Sequence, residues 1–470
     1  MFTAKFFYII FVISFGYFLI LTFYYLFLVI IGSYENVKKA LEREGENYPL
    51  LYFSTFKMPV SIIMPAHNEE EWIEDSLKSL LNLNYPEFEI IVVNDDSSDR
   101  TLEILDRILK LKPVETIYIK HYKDGDVRNI LKSEKYPYVT VIDKTKGLKK
   151  AGAANAGLNI AKYDHICVID ADTILEQNAL LVTMAHVEKE PDKVVGIGSS
   201  FGLVNGFKIK EGRIAERSFS YNPLIAYQNL EYIRSFIGNR IAWSRFNAMP
   251  TVAGGFGIWR KDVLYELGGF SVDYTCEDIE LTFRVHDYIA NNKDKGYKII
   301  MLPYYMGWTE GPSTVRSLIM QRNRWQRVTN ETAWHYKYMM CNPKYGGFAF
   351  LTLPYFVMYE VLGVFVEIFS IAVVAIGGIA GLVDFKIFIA FFLFMLLSQG
   401  IVSLFSILAF VQDQRFFRPR YILYLVALTF VEFFWYRWII SIAKISGTYS
   451  FLRRVKSFDQ YTRAKRTQPA

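Results

Sequence analysis

Val60-Ser61-Ile62-Ile63-Met64-Pro65-Ala66-His67-Asn68-Glu69 opens as an apolar strand and breaks at a proline turn. Phe88-Glu89-Ile90-Ile91-Val92-Val93 repeats the strand pattern and runs into Asn94, Asp95 and Asp96. Between the two, Ile73, Leu77, Leu80 and Leu81 recur at helical spacing over Glu70 to Leu83. Further on, Asp99 is placed to cap a helix, and Tyr138 to Ile142 predicts another strand. Lys149 to Leu158 predicts a small-residue helix, and Ile166-Cys167-Val168-Ile169 a strand that delivers Asp170 and Asp172 at its end. Strands alternating with helices predict an α/β domain with a mostly parallel sheet. In such sheets ligands bind beyond the carboxyl ends of the strands.

The surrounding composition is that of a membrane protein. The 470 residues are 52% hydrophobic and only 21% charged, which excludes disorder, collagen and coiled coil. The apolar residues are blocked. Phe6 to Ile31 carries no charge, and about 20 apolar residues suffice to span a bilayer. It exceeds the apolar length of a signal peptide, and no small-residue cleavage site follows. Ile387 to Val411 is equally apolar. Phe348 to Val383 holds Glu360 and Glu367, and Tyr421 to Ala443 holds Glu432 and Arg437. The two glutamates share a helical face inside the bilayer, or the segment is an interfacial helix kinked near Pro354. Glu432 and Arg437 are spaced for a loose pair within the bundle.

Cys167, Cys276 and Cys341 show no metal or disulfide spacing. They suit a reducing cytoplasm, with Cys167 packed as a small apolar side chain. The net charge of +6 carries no nucleic-acid signal. Lys38, Lys39 and Arg43 flank the first apolar segment, and residues 444–470 are strongly basic, both marks of a cytoplasmic side. Three complete spans after the domain would put that tail outside, so an interfacial or re-entrant last segment reconciles the two. The expected organisation is a transmembrane helix at 1–34, a linker at 35–58 and a cytoplasmic catalytic domain at 59–345. Transmembrane and interfacial helices follow at 346–443, then the basic tail.

The chemistry gathers at strand ends. The turn after Met64 lacks GxGxxG, and no P-loop occurs. Glu69, Asp95, Asp170 and Asp172 stand there instead. Carboxylates hold a diphosphate through a divalent cation, a hard ion that prefers oxygen ligands. Asp170-Ala171-Asp172 is either such a site or a solvated strand end. Glu277 and Asp278 open a helix after Gly254-Gly255, glycines that permit close backbone approach. The carboxylates are either chemical groups or first-turn partners of the helix dipole. Gln321, Arg324 and Trp325 share one helical face: an amide, a cationic fork for phosphate and an aromatic plate for a sugar. That helix also reads as an amphipathic segment on the membrane.

Five motifs in this order resemble the membrane-anchored family 2 glycosyltransferases, the group that includes cellulose, chitin, hyaluronan and poly-N-acetylglucosamine synthases. They are Pro65-Ala66-His67-Asn68-Glu69, Val93 to Asp99, Asp170-Ala171-Asp172, Glu277-Asp278 and Gln321-Arg322-Asn323-Arg324-Trp325. The resemblance implies a GT-A-type, Rossmann-like catalytic domain. It implies Glu69 and Asp95 on the nucleotide, with Lys150, Asn155 and Asp170 near it. It implies Asp172 on Mg2+ or Mn2+, Asp278 as catalytic base beside Glu277, and processive action marked by Gln321, Arg324 and Trp325. Gly254 and Gly255 fall with the acceptor and diphosphate contacts. Asp96 stands where the family has glycine, and Cys276 where it has threonine. The implied partners are a nucleotide sugar, with UDP as carrier, a polysaccharide or single-addition lipid acceptor, membrane lipids and an accessory export subunit.

Independently of the family, sugar transfer needs a stabilised diphosphate and an activated acceptor hydroxyl. With one base and no placed nucleophile, the expected reaction is a single displacement that turns an α-linked donor into a β-linked product. A scaffold with a dead catalytic domain would have lost the carboxylates that this chain retains.

Overall fold

The computed structural model describes residues 2–44, 57–145, 147–381, 384–413 and 418–455. Residues 45–56 of the expected linker, and the basic tail beyond Val455, lie outside them.

The catalytic domain is built on one ten-stranded sheet. Its strands are β1 (Val60–Ala66), β2 (Phe88–Asp95), β3 (Leu111–Pro113), β4 (Val127–Ser133), β5 (Val139–Lys144), β6 (His165–Ile169), β7 (Ile174–Leu175), β8 (Val194–Leu203), β11 (Phe256–Arg260) and β12 (Lys298–Thr309). β9 (Lys208–Lys210) and β10 (Arg213–Glu216) form a separate hairpin. The order is β3-β4-β5-β2-β1-β6-β11-β8-β12-β7. The α/β reading holds. The four adjacent strands β5, β2, β1 and β6 are parallel, and every residue of β1 is buried. That explains their continuous apolar runs, because a parallel strand is covered on both faces. β11 runs antiparallel between β6 and β8, and β12 pairs parallel with β8, so the sheet as a whole is mixed.

Helices α1 (Phe2–Glu44), α2 (Ile73–Leu81), α3 (Thr101–Leu109) and α4 (Lys149–Ile160) precede or follow the parallel strands. α5 (Glu277–Asn291) and α6 (Val315–His335) lie beyond β11 and β12. The last four long helices are α7 (Gly363–Ile379), α8 (Phe385–Asp413), α9 (Pro419–Val431) and α10 (Tyr436–Leu452).

Among the described residues, Phe7–Lys39 of α1 and Ile389–Phe410 of α8 are long and apolar enough to cross a membrane. Phe348–Val361 with α7, bent by 48°, and Pro419–Phe434 with α10, bent by 56°, bring the number to four if each bent pair is one span. The charges in these segments are paired across helices. Arg234 forms a two-pronged pair with Glu432 at 2.8 Å on both arms. Lys444 Nζ lies 2.7 Å from Glu360, and Arg437 pairs with Glu367. Glu432 and Arg437 thus take separate partners and do not bond each other. The chain bends by 56° at Trp435, between the two residues.

Candidate active site

Register brings the motifs together. Asp95 ends β2 opposite Lys144 of β5, and Phe256 pairs with Ile169, which sets Gly254-Gly255 beside the Asp170 turn. The first two motif loops are zipped to each other. His67 Nδ1 donates to the Asp95 carbonyl at 2.6 Å, and the Ser98 amide to Asn68 Oδ1 at 2.8 Å. The Glu69 amide donates to Thr101 Oγ1 at 2.8 Å. Asp99 accepts from the Glu70 amide and the Thr101 amide, both at 3.0 Å, so it ties the loops as well as starting α3. Asp96 adopts a left-handed φ of 57°, which explains why glycine suits this position; an aspartate is one of the few residues that tolerate it. Arg128 holds it at 3.3 Å and reaches Asp143 at 3.0 Å.

Asp95 has a partner that the sequence reading missed. Lys144 is fully buried and its Nζ lies 2.7 Å from Asp95 Oδ1. The signal was the Asp143-Lys144 pair of charges closing β5 next to the acidic end of β2.

The second centre is Lys150. Its ammonium lies 2.6 Å from Asp170 Oδ1 and 2.7 Å from Glu277 Oε1, and it donates to the Gly254 carbonyl at 3.3 Å. Asp278 accepts from the Gly254 amide at 3.2 Å and from the Ile279 amide at 2.8 Å. Burial and the adjacent Glu277 push the Asp278 carboxyl above the usual carboxylate range, while Lys150 acts the other way. α5 is held against α6 by Glu331, which accepts from the Thr275 amide at 2.9 Å, and by Tyr336, which donates to Glu280 at 2.8 Å. Cys276 stands at the N-cap of α5 without a side-chain cap bond, and burial raises its thiol to about 12.

Asp170, Asp172, Glu69, Asp95, Lys150 and Asp278 all line one cavity of about 1900 Å3. Gly254, Gly255, Glu277, Gln321, Arg324 and Trp325 line it too. Arg322 covers the Trp325 ring at 4.1 Å and pairs with Glu231 at 2.6 Å. Asn155 stands apart. Its amide donates to the Lys123 and Phe270 carbonyls and accepts from the Phe270 amide, all at 2.8 Å, so it braces a loop behind α4.

Asp172 is buried and accepts from Thr309 Oγ1 at 3.2 Å. Among the described residues no three His, Cys, Asp or Glu side chains converge as a metal cage. Mg2+ is ordinarily held by one or two carboxylates together with substrate phosphates, and the donor set of Asp170 and Asp172 fits that use.

The family pattern "Glycosyl transferase family 2" matches residues 61–268, and "Glycosyl transferase family group 2" matches residues 165–436, more than half the chain. The chain is a family 2 glycosyltransferase. The poly-β-1,6-N-acetyl-D-glucosamine synthase of Staphylococcus epidermidis is 28% identical over 273 residues, 58% of this chain and 55% of that protein. A Bacillus subtilis protein named as a probable glycosyltransferase is 31% identical over 273 residues, 57% and 54% of the two chains. This glycosyltransferase thus spans about half the length of these relatives. A solved mannosyltransferase from Pyrobaculum calidifontis, in complex with GDP-Man and Mn2+, shares the fold. It superposes with a TM-score of 0.54 at 15% identity, covering 93% of this chain and 100% of that one.

Proposed function

We propose that this glycosyltransferase moves a hexosyl group from a UDP-sugar to a growing polysaccharide by a single inverting displacement. The observation that supports this best is the cavity. Asp95, Asp172 and Asp278 line it together with Tyr17, Phe18 and Leu21 of the apolar helix α1. Donor chemistry and a membrane-level path therefore share one space. The relative named as a poly-N-acetylglucosamine synthase supports a polymeric product.

In this reading Glu69 and Asp95 hold the nucleoside, and Lys144 fixes the Asp95 carboxylate. Asp170 and Asp172 would hold Mg2+ or Mn2+, which when bound offsets charge on the diphosphate. Lys150 holds Glu277 and Asp170 in place, and Arg324 adds positive charge on the leaving-group side. Asp278 takes the proton of the acceptor hydroxyl as the new bond forms, a role its raised basicity suits. The bond from the anomeric carbon to the diphosphate oxygen breaks as the acceptor oxygen attacks from the opposite face. Trp325 stacks on the acceptor sugar between additions. The enzyme lies in the cell membrane as a multi-pass protein with its catalytic domain on the cytoplasmic side, and the product leaves along the cavity between α1 and α8.

The test is product length. The purified chain is incubated with radiolabelled nucleotide sugars one at a time, and the products are sized. A ladder or high polymer from a UDP-sugar is expected, shortened in Trp325→Ala more than nucleotide binding is weakened. A single labelled glycolipid would replace polymer synthesis by one addition to a lipid.

A further inference from the structure

The charges lining the cavity are almost all spoken for. Glu231 accepts from Arg322 at 2.6 Å and from Tyr436 at 3.0 Å. Glu360, Glu367 and Glu432 are taken by Lys444, Arg437 and Arg234, and Asp170 and Glu277 share Lys150. Two cavity arginines with a buried, unpartnered nitrogen make no ion pair among the described residues: Arg324, given above to the diphosphate, and Arg240. Arg240 closes the π-helical stretch Ile233–Arg240. Its Nη1 is buried with no hydrogen-bond partner, and its guanidinium sits 4.3 Å over the Phe236 ring. The neighbouring Asn239 is buried and lines the cavity with an unpartnered Oδ1.

A guanidinium nitrogen buried without a partner is costly to keep, and such groups call for an explanation. Burial lowers the Arg240 pKa to about 10, so the group remains charged at neutral pH. π-Helical stretches are uncommon and gather at functional sites. Gly238, two residues before Arg240, packs against Val29 of α1 and Ser406 of α8, where an added Cβ would lie 3.2 Å and 2.9 Å away. Trp243, three residues after Arg240, donates to Tyr24 of α1 at 2.9 Å, so Arg240 sits where the cavity meets the apolar helices. The donor diphosphate belongs to the Asp95 side. An anion at Arg240 would therefore arrive with the acceptor.

We propose that Arg240 and Asn239 form a subsite for an acceptor that carries a negative charge beside its reacting sugar, as a phosphodiester or a carboxylate. The proposal rests on the transferase reading above and specifies its acceptor class. The guanidinium fork takes two oxygens of the anion, and the Asn239 carbonyl accepts from a sugar hydroxyl. The Phe236 ring holds the fork flat.

The test measures binding of three matched probes to the full chain in detergent: decyl glucoside, decyl glucuronide, and glucose joined to decanol through a phosphodiester. UDP and GDP are titrated on the same samples. At least one anionic probe should bind the parent chain about tenfold more tightly than decyl glucoside, the size expected of a charge-assisted pair. Which anionic probe wins separates a lipid phosphate from an acidic sugar. Arg240→Gln should erase the preference without changing nucleotide affinity, and Arg240→Lys should keep part of it. Equal binding of all three probes to the parent chain would overturn the proposal, and this result needs no variant. So would an Arg240→Gln loss that falls equally on the neutral probe or on the nucleotides. If neither nucleotide binds while the anionic preference stands, the transferase reading fails and this subsite survives.

Discussion

Lys150 Nζ and Glu277 Oε1 lie 2.7 Å apart, and this pair joins α4 to the first turn of α5 across the mouth of β6. The same ammonium holds Asp170 at 2.6 Å. One cation therefore fixes the spacing between the acidic turn after β6 and the carboxylates that open α5.

Lys150→Met should release Asp170 and Glu277 to repel each other. Turnover should fall by roughly 10²-fold, the size seen when a preorganised charged group is removed. The stability loss should stay below the roughly 3–5 kcal/mol of a fully buried broken pair, since Lys150 keeps contact with the cavity. Melting and initial rates on one preparation check both.

Gly254→Ala should damage catalysis without unfolding the chain. A Cβ there would stand 2.8 Å from Lys150 Nζ and 3.2 Å from Glu277 Oε1. The lysine tip can move, so the cost falls on alignment, and a shift of about 1 Å costs on the order of 10²-fold in rate. Unchanged kcat in the variant would contradict this packing.

Cys276→Thr should stabilise the domain. Cys276 has the extended backbone of an N-cap, with φ −136° and ψ 144°, but caps nothing. A threonine hydroxyl there can accept from the Asp278 amide, a gain of about 0.5–1 kcal/mol. Denaturant midpoints of the two chains measure it.

Asp278 sets the acid limb of the pH profile. Its carboxyl is raised first by burial and then by Glu277. A base must be ionised, so turnover falls as pH drops through a value above the usual carboxylate range. The stability sign is the reverse. A carboxyl with a raised folded pKa destabilises the fold once ionised and ceases to do so when protonated. Asp278→Asn should therefore melt higher than the parent above that pKa, and the gain should vanish below it. Melting curves across pH 4 to 8 would show the crossover, and a gain that persists at low pH would contradict the assignment.

The parallel half of the sheet was legible because β1, β2, β5 and β6 are covered on both faces and read as unbroken apolar runs. The other end of the sheet was not. β8 reads Val194-Val195-Gly196-Ile197-Gly198-Ser199-Ser200-Phe201-Gly202-Leu203, where glycines and serines interrupt the apolar residues and no alternation shows. Its small residues make room for rings from neighbouring strands; a Cβ on Gly202 would lie 2.2 Å from Trp308. That pattern exists only in the folded sheet. Cavity residues were found where carboxylates close a strand or open a helix. Lys144 and Arg240 escaped because neither belongs to a motif, and the meaning of each depends on what faces it. Asn155 came in through the family resemblance, and its amide bonds the Lys123 and Phe270 carbonyls.

The central claim is that Asp278 activates the acceptor in a nucleotide-sugar transfer. Donor affinity and turnover measured together on Asp278→Asn test it most directly. The account predicts donor binding close to the parent and turnover lower by roughly 10²–10⁴-fold, the range for losing a general base. Near-parental turnover, or donor binding lost along with it, would contradict the account.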